Sequence, residues 1–175
     1  MANGLIWIPK RLVELGLLNV AASTPQRFVE YCENDYAARV RHAAGQVLQS
    51  GARVVMLTGP SSSGKTTTAH KLAGALRAAG VESAVVSLDN FFKNVQDYPR
   101  LPDGRPDYES VDALDIPAIL RALASLIETG RAAIPDFDFN REQRVRGTLE
   151  VCVGRGVAVV EGIHALNPIF TKDLP

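Results

Sequence analysis

Apolar positions along the chain follow two periods. Phe28, Tyr31, Cys32, Tyr36, Val40, Val47 and Leu48 recur at helical spacing and predict a helix from Thr24-Pro25 to about Gln49. Thr24 suits the cap, and Pro25 suits the first helical position, where no N–H is needed. Within Arg53–Thr58, the continuous run Val54–Leu57 fits a strand buried on both faces of a parallel sheet. Ala69, Leu72, Ala73 and Leu76 form the stripe of a helix over Lys65–Ala79, stopped by Gly80. Ala84–Leu88 reads as a second strand. Asn90–Pro106 is polar and carries Pro99, Pro102, Gly104 and Pro106, so it reads as a long loop, either functional or disordered. Asp115 caps a helix over Ile116–Glu128 with the stripe Ile119, Leu120, Leu123, Leu126 and Ile127. Residues 132–139 and 145–153 pattern as a hairpin around the charged turn Arg141–Arg144. Val157–Val160 is a last strand, followed by Glu161-Gly162. Alternating strands and helices predict an α/β sheet covered by helices.

Ahead of these elements, Trp7, Ile8 and Pro9 read as a short extended or docking segment. Lys10, Arg11 and Glu14 interrupt the apolar residues there, so no secretion signal is expected. A length of 175 residues suggests about one domain. We expect residues 1–50 to be an extension with its leading helix, and residues 51–175 to be the core.

Charge narrows the partners. Nineteen Lys+Arg balance nineteen Asp+Glu. Zero net charge argues against nucleic acid or an acidic membrane as the dominant partner. It also leaves little repulsion between copies, so a homo-oligomer stays open. Cys32 and Cys152 are far apart, and His42, His70 and His164 lack metal-ligand spacing. No run of apolar residues is long enough to span a membrane. A reduced, cytoplasmic protein is the expectation.

The strongest chemical signal is Gly59-Pro60-Ser61-Ser62-Ser63-Gly64-Lys65-Thr66, which satisfies GxxxxGK[ST] and is followed by Thr67. An apolar strand precedes it and an amphipathic helix follows. The glycines let the backbone turn so that successive N–H groups cradle phosphate oxygens. Lys65 reaches the β- and γ-phosphates, and the Thr66 hydroxyl is offered to Mg²⁺. The alternative is a plain Gly/Ser turn ahead of a helix. No NKxD or LSGGQ segment accompanies the loop.

Two carboxylates follow predicted strands. In open parallel sheets, ligands bind beyond the strands' carboxyl ends. Asp89 at that place can accept a proton from an attacking hydroxyl and help hold Mg²⁺, or it simply opens a turn with Asn90. Glu161 is placed for a Mg²⁺-linked role, or it is a surface residue ending its strand. Thr66, Asp89 and Glu161 together offer three oxygen groups to one hard cation. Phe92, Tyr98, Tyr108, Phe137 and Phe139 either wall a pocket or pack against the core.

The stretches GPSSSGKTT, VVSLDNFF, YESVDALD, IPDFDFNREQR and VVEGIHALNP resemble the uridine kinase / phosphoribulokinase family of P-loop kinases over about residues 50–170. The wording is closest to a bacterial uridine kinase-like nucleoside kinase branch. There the kinase commonly follows a region similar to part of threonyl-tRNA synthetase, and residues 1–50 would be the tail of that connection. The resemblance implies a P-loop NTPase-type three-layer α/β sandwich with a mostly parallel sheet. It implies ATP and Mg²⁺, with Asp89 as base and metal neighbour and Glu161 as a metal residue. Glu109 falls where the family has an Asp that holds ribose hydroxyls. Phe137 replaces a Tyr near the base, Glu142 replaces a base-reading His, and Arg144 matches an Arg. The family continues beyond Pro175 with another strand, a lid helix bearing arginines and adenine contacts, so a C-terminally truncated core is expected. The implied activity is phosphoryl transfer from ATP to an alcohol, the 5′-hydroxyl of a nucleoside. The alternatives are a kinase for a non-nucleoside alcohol, or a nucleotide-binding regulatory or assembly module with little turnover.

Overall fold

The computed structural model describes residues 15–172. The segment Trp7–Pro9 and the last residues, Asp173–Pro175, lie outside the described residues. The chain divides into two compact units between Arg39 and Val40. The first carries helix α1 (Leu15–Ala22) and the start of helix α2 (Pro25–Ser50). The Phe28 N–H donates to the Thr24 carbonyl at 3.1 Å, so the first helical bond forms where the Thr-Pro pair predicts it. The apolar stripe of α2 is largely uncovered. Tyr31, Cys32 and Leu48 are exposed, and the buried residues are Val40 and Ala44. Periodicity identifies a face of a helix; it does not say what covers that face.

In the second unit, three parallel strands form a sheet in the order β1 (Val54–Leu57), β5 (Val157–Glu161), β2 (Ser83–Ser87). Central β5 is buried at every position. The register aligns Leu57 with Glu161 and Ser87 with Glu161, so all three strands end side by side. Successive side chains point to opposite faces. Ala158, Val160 and Val86 enter one core cluster with Ile119, Leu123 and Leu126 of helix α4 (Ile116–Thr129). Helix α3 (Lys65–Ala78) packs on β2 and β5, burying the predicted Ala69, Leu72, Ala73 and Leu76. Helix, parallel sheet and helix make a three-layer α/β sandwich. Asp115 caps α4 as expected, its Oδ1 accepting from the Ala118 N–H at 3.0 Å. Of the α4 stripe, Leu120 and Ile127 are half-buried, and Ala122 takes a core place instead.

A separate antiparallel hairpin joins β3 (Arg131–Asp138) to β4 (Gln143–Cys152). Its turn lies earlier than the predicted Arg141–Arg144, because Phe137 pairs with Arg144 and Asp138 with Gln143. Asp138 Oδ1 accepts from the Asn140 and Arg141 N–H groups, and Glu142 takes φ 51°, closing the turn there. Glu161 belongs to its strand rather than following it.

The segment predicted as a long loop is ordered by short 3-10 turns at Leu88–Phe91 and Val95–Asp97, and a further one at Val111–Ala113 follows it. Cross-links such as Asp115 N to Phe91 O and Lys93 N to Ala113 O, both 2.9 Å, tie it down. Helix α5 (Pro168–Thr171) closes the described chain. Among the described residues, no helix is long and apolar enough to cross a membrane.

Candidate active site

The phosphate loop leaves the end of β1 and turns directly into α3. Gly64 adopts φ 81°, a left-handed conformation that glycine takes at little cost, and Ser62 adopts φ 58°. A side chain on Gly59 would place its Cβ 2.8 Å from Ser63 Oγ and 3.3 Å from Lys65 Cγ. The loop is thus wound tightly on itself. Pro60, Ser61, Ser62, Ser63 and Thr67 are exposed. Lys65 Nζ donates to the Pro60 carbonyl at 2.9 Å, curled over its own loop.

Thr66, the second residue of α3, donates from Oγ1 to Glu161 Oε1 at 3.2 Å. Glu161 is only 2% exposed, a buried carboxylate at the end of the central strand. Gly162 follows it because no Cβ fits: one would lie 2.8 Å from Leu88 Cβ. That close approach presses the end of β5 against the residue before Asp89. Asp89 itself sits in the 3-10 turn after β2, where its N–H donates to Ser87 Oγ at 3.3 Å. Burial raises its carboxyl above the usual range, and the neighbouring Glu161 carboxylate raises it further. Lys65 and His164 oppose that rise.

Thr66 and Glu161 therefore meet at the carboxyl ends of the strands, with Asp89 close enough to be raised by the Glu161 charge. Two neighbouring carboxylates, one buried, and a hydroxyl are an oxygen-only donor set suited to a hard divalent cation. A bound cation would relieve the repulsion that now raises Asp89. Phosphate oxygens and water must complete the coordination, since no cluster of three or more His, Cys, Asp or Glu able to hold a metal exists among the described residues.

The residues expected on the acceptor side are less uniform. Glu109 is exposed, its N–H held by Asp107 Oδ1 at 3.0 Å. Its carbonyl is 2.8 Å from His164 Nε2. Glu142 Oε1 accepts from the Tyr108 hydroxyl at 2.9 Å, and its carbonyl accepts from Val95 N–H at 3.3 Å. Phe137 is 6% exposed and packs between Phe92 (tilted, ring centroids 5.8 Å apart) and Phe139 (edge-on, 5.1 Å). Tyr98, also buried, touches Phe92 and Tyr108; its hydroxyl is pushed up to about 12 by burial first, then by Tyr108, Glu142 and Asp89. The aromatic residues thus form one chain of contacts in which Tyr98 and Phe137 are packed and Tyr108 and Phe139 are exposed.

Arg144 is fully engaged within the fold. Its guanidinium donates to the carbonyls of Phe92 (2.9 Å) and Phe91 (3.1 Å) and pairs with Asp115 at 3.0 Å. It braces the turn that carries Asp89 against the hairpin and the α4 cap. Two further residues lie near the site without an expected role. The Thr58 hydroxyl donates to the Ile163 carbonyl at 2.7 Å, and His164 lies near Asp89. Their one sequence signal is proximity: Thr58 directly precedes the phosphate loop, and His164 lies within the stretch that begins at Glu161.

A parallel sheet, a phosphate loop at the end of its edge strand and acidic residues at the two adjacent strand ends define a P-loop kinase fold. Residues 54–172 match the phosphoribulokinase / uridine kinase family, and the chain belongs to it. It is 32% identical over 116 residues to a uridine kinase of Schizosaccharomyces pombe, a match covering 65% of this chain and 25% of that protein. A solved Bacillus stearothermophilus structure described as a possible uridine kinase superposes with a TM-score of 0.63 at 19% identity, over 77% of this chain and 75% of that one. A D-glycerate 3-kinase from Cryptococcus neoformans superposes with a TM-score of 0.55 at 27% identity, over 72% of this chain and 52% of that one. The chain spans from 24% to 57% of the length of the curated uridine kinases it matches.

Proposed function

We propose that the chain transfers the γ-phosphoryl group of ATP to the 5′-hydroxyl of a nucleoside, as a uridine kinase-like enzyme of the bacterial branch. The observation that carries this reading is the meeting of Thr66 with Glu161 beside Asp89, at the mouth of the phosphate loop. Backbone N–H groups of Gly59–Thr66 grip the phosphates, and Lys65 exchanges the Pro60 carbonyl for phosphate oxygen. Thr66, Asp89 and Glu161 would hold Mg²⁺, and the bound ion would neutralise charge on the phosphate oxygens. Asp89 accepts the proton as the hydroxyl oxygen bonds to the γ-phosphorus and ADP leaves. Glu109 orients the sugar hydroxyls. Phe137 and Glu142 shape the far wall, while Arg144 supports the site from behind.

A second reading, a kinase for a smaller non-nucleoside alcohol, is favoured by the self-packed aromatic residues and by Glu142 engaging Tyr108. The likeness to a D-glycerate 3-kinase points the same way. ADP release with Mg²⁺ and ATP across nucleosides and small hydroxy acids, with product masses, decides between them. A phosphorylated nucleoside supports the first reading, and a phosphorylated hydroxy acid supports the second. ATP binding with no accepted alcohol supports a nucleotide-binding module and defeats both.

A further inference from the structure

We propose that His164 is a positioning residue for the alcohol side of the site, latching the Glu109 segment to the frame that carries Glu161. The inference rests on the phosphotransferase reading above, and the latch itself rests on geometry alone. His164 projects from a braced turn. The Gly162 N–H donates to the Leu57 carbonyl at 3.2 Å, and the Ile163 carbonyl accepts from Thr58 at 2.7 Å. Asn167 N–H returns to the His164 carbonyl at 2.8 Å. The main chain that carries the ring is thus anchored to the end of β1, just before the phosphate loop, and to the end of β5.

The segment it reaches is held mainly by its own neighbours. Asp107 N–H donates to the Pro99 carbonyl at 2.8 Å, and Glu109 N–H donates to Asp107 Oδ1. Beside the Tyr98–Tyr108 ring contact, two hydrogen bonds carry it outward: Tyr108 to Glu142 on the hairpin, and the Glu109 carbonyl to His164 Nε2 at 2.8 Å. A carbonyl only accepts, so Nε2 carries the proton in this bond. The neutral Nε2–H ring and the cation both make it. Across 55 residues of sequence, His164 therefore fixes the backbone whose carboxylate is proposed to orient the acceptor.

His164→Gln and His164→Leu in the 175-residue chain test the latch. The Gln amide nitrogen reaches about where Nε2 sits and keeps the donor; Leu keeps bulk and removes it. Amide hydrogen exchange over residues 99–110 should quicken about fivefold to tenfold in His164→Leu and stay near wild type in His164→Gln. Exchange in β1 and β5 should not change. If His164→Leu loosens the whole chain, Gln against the shorter Asn takes its place, with only Gln protected. The KM for the alcohol should rise about tenfold in His164→Leu and return to wild type in His164→Gln, with the KM for ATP unchanged in both. Equal exchange in all variants overturns the latch, with or without turnover. A loosened segment with an unchanged alcohol KM overturns the positioning role. A wild-type chain that phosphorylates nothing defeats the function proposed above, and exchange still decides the latch.

Discussion

Thr66 and Glu161 meet at 3.2 Å across the junction of α3 and β5, and this is the one hydrogen bond described for the buried Glu161 carboxylate. Without a cation, Glu161 also repels Asp89. In the proposed cation site, that repulsion would weigh on the protein whenever Mg²⁺ is not bound. Glu161→Gln keeps an oxygen for Thr66 and removes the charge. Urea unfolding without Mg²⁺ should show the variant as stable as wild type, or more so by about 1 kcal/mol. Titration with Mg²⁺ and ATP should show weaker binding. Lost stability with unchanged nucleotide affinity would make Glu161 a structural residue.

Asp89→Asn addresses the base. The amide can occupy the same turn but cannot take the proton. Turnover should fall about 10²-fold or more, well beyond any weakening of Mg²⁺-ATP binding from the lost carboxylate. Equal losses in turnover and in Mg²⁺-ATP affinity would make Asp89 a binding residue and not the base.

The parts of this arrangement that lie close in sequence were legible from pattern. The phosphate loop needs fixed residues at fixed offsets, and the strand ends follow from apolar runs bounded by Asp89 and Glu161. The α3 stripe was legible for the same reason: one face of one helix meets one sheet. What escaped pattern depends on partners far along the chain. Gln143 and Arg144 enter β4 because Arg144 satisfies the Phe91 and Phe92 carbonyls, some fifty residues away, and this moves the hairpin turn back to Phe139–Glu142. His164 sits in the VVEGIHALNP stretch and lacks metal-ligand spacing, yet its contact is with a main-chain carbonyl, which no residue pattern announces. The stripe on α2 has the right period, but burial there is confined to Val40 and Ala44.

Asp115 gives a pH signature. Burial alone would raise its carboxyl, but the Ala118 N–H and the Arg144 guanidinium outweigh burial and hold it below 3.8. A carboxyl depressed in the folded state contributes stability above the unfolded value and loses it as pH falls through the folded value. Asp115→Asn can still cap α4 but cannot pair as a charge. Wild type should exceed it by about 1 kcal/mol at pH 7, roughly 2–4 °C in Tm. The gap should close as pH falls below 3.8. A gap constant from pH 7 to pH 3 would place the contribution in shape rather than charge.

Arg144→Lys separates bracing from substrate contact. The guanidinium spreads its donors over three acceptors: the Phe91 carbonyl, the Phe92 carbonyl and Asp115. A lysine ammonium is a single point with different reach and cannot hold all three in that geometry. At least one acceptor then loses its Arg144 bond, while the Phe91 carbonyl keeps the Asp115 N–H and Asp115 keeps the Ala118 N–H, so the loss is about 1 kcal/mol. The urea midpoint should drop accordingly, and ATP affinity should hold because the phosphate loop is untouched. Turnover should fall modestly as the Asp89 turn loosens, and it should recover when the variant is assayed at lower temperature. If the urea midpoint is unchanged and only the KM for the alcohol rises, Arg144 faces substrate and the bracing role is wrong.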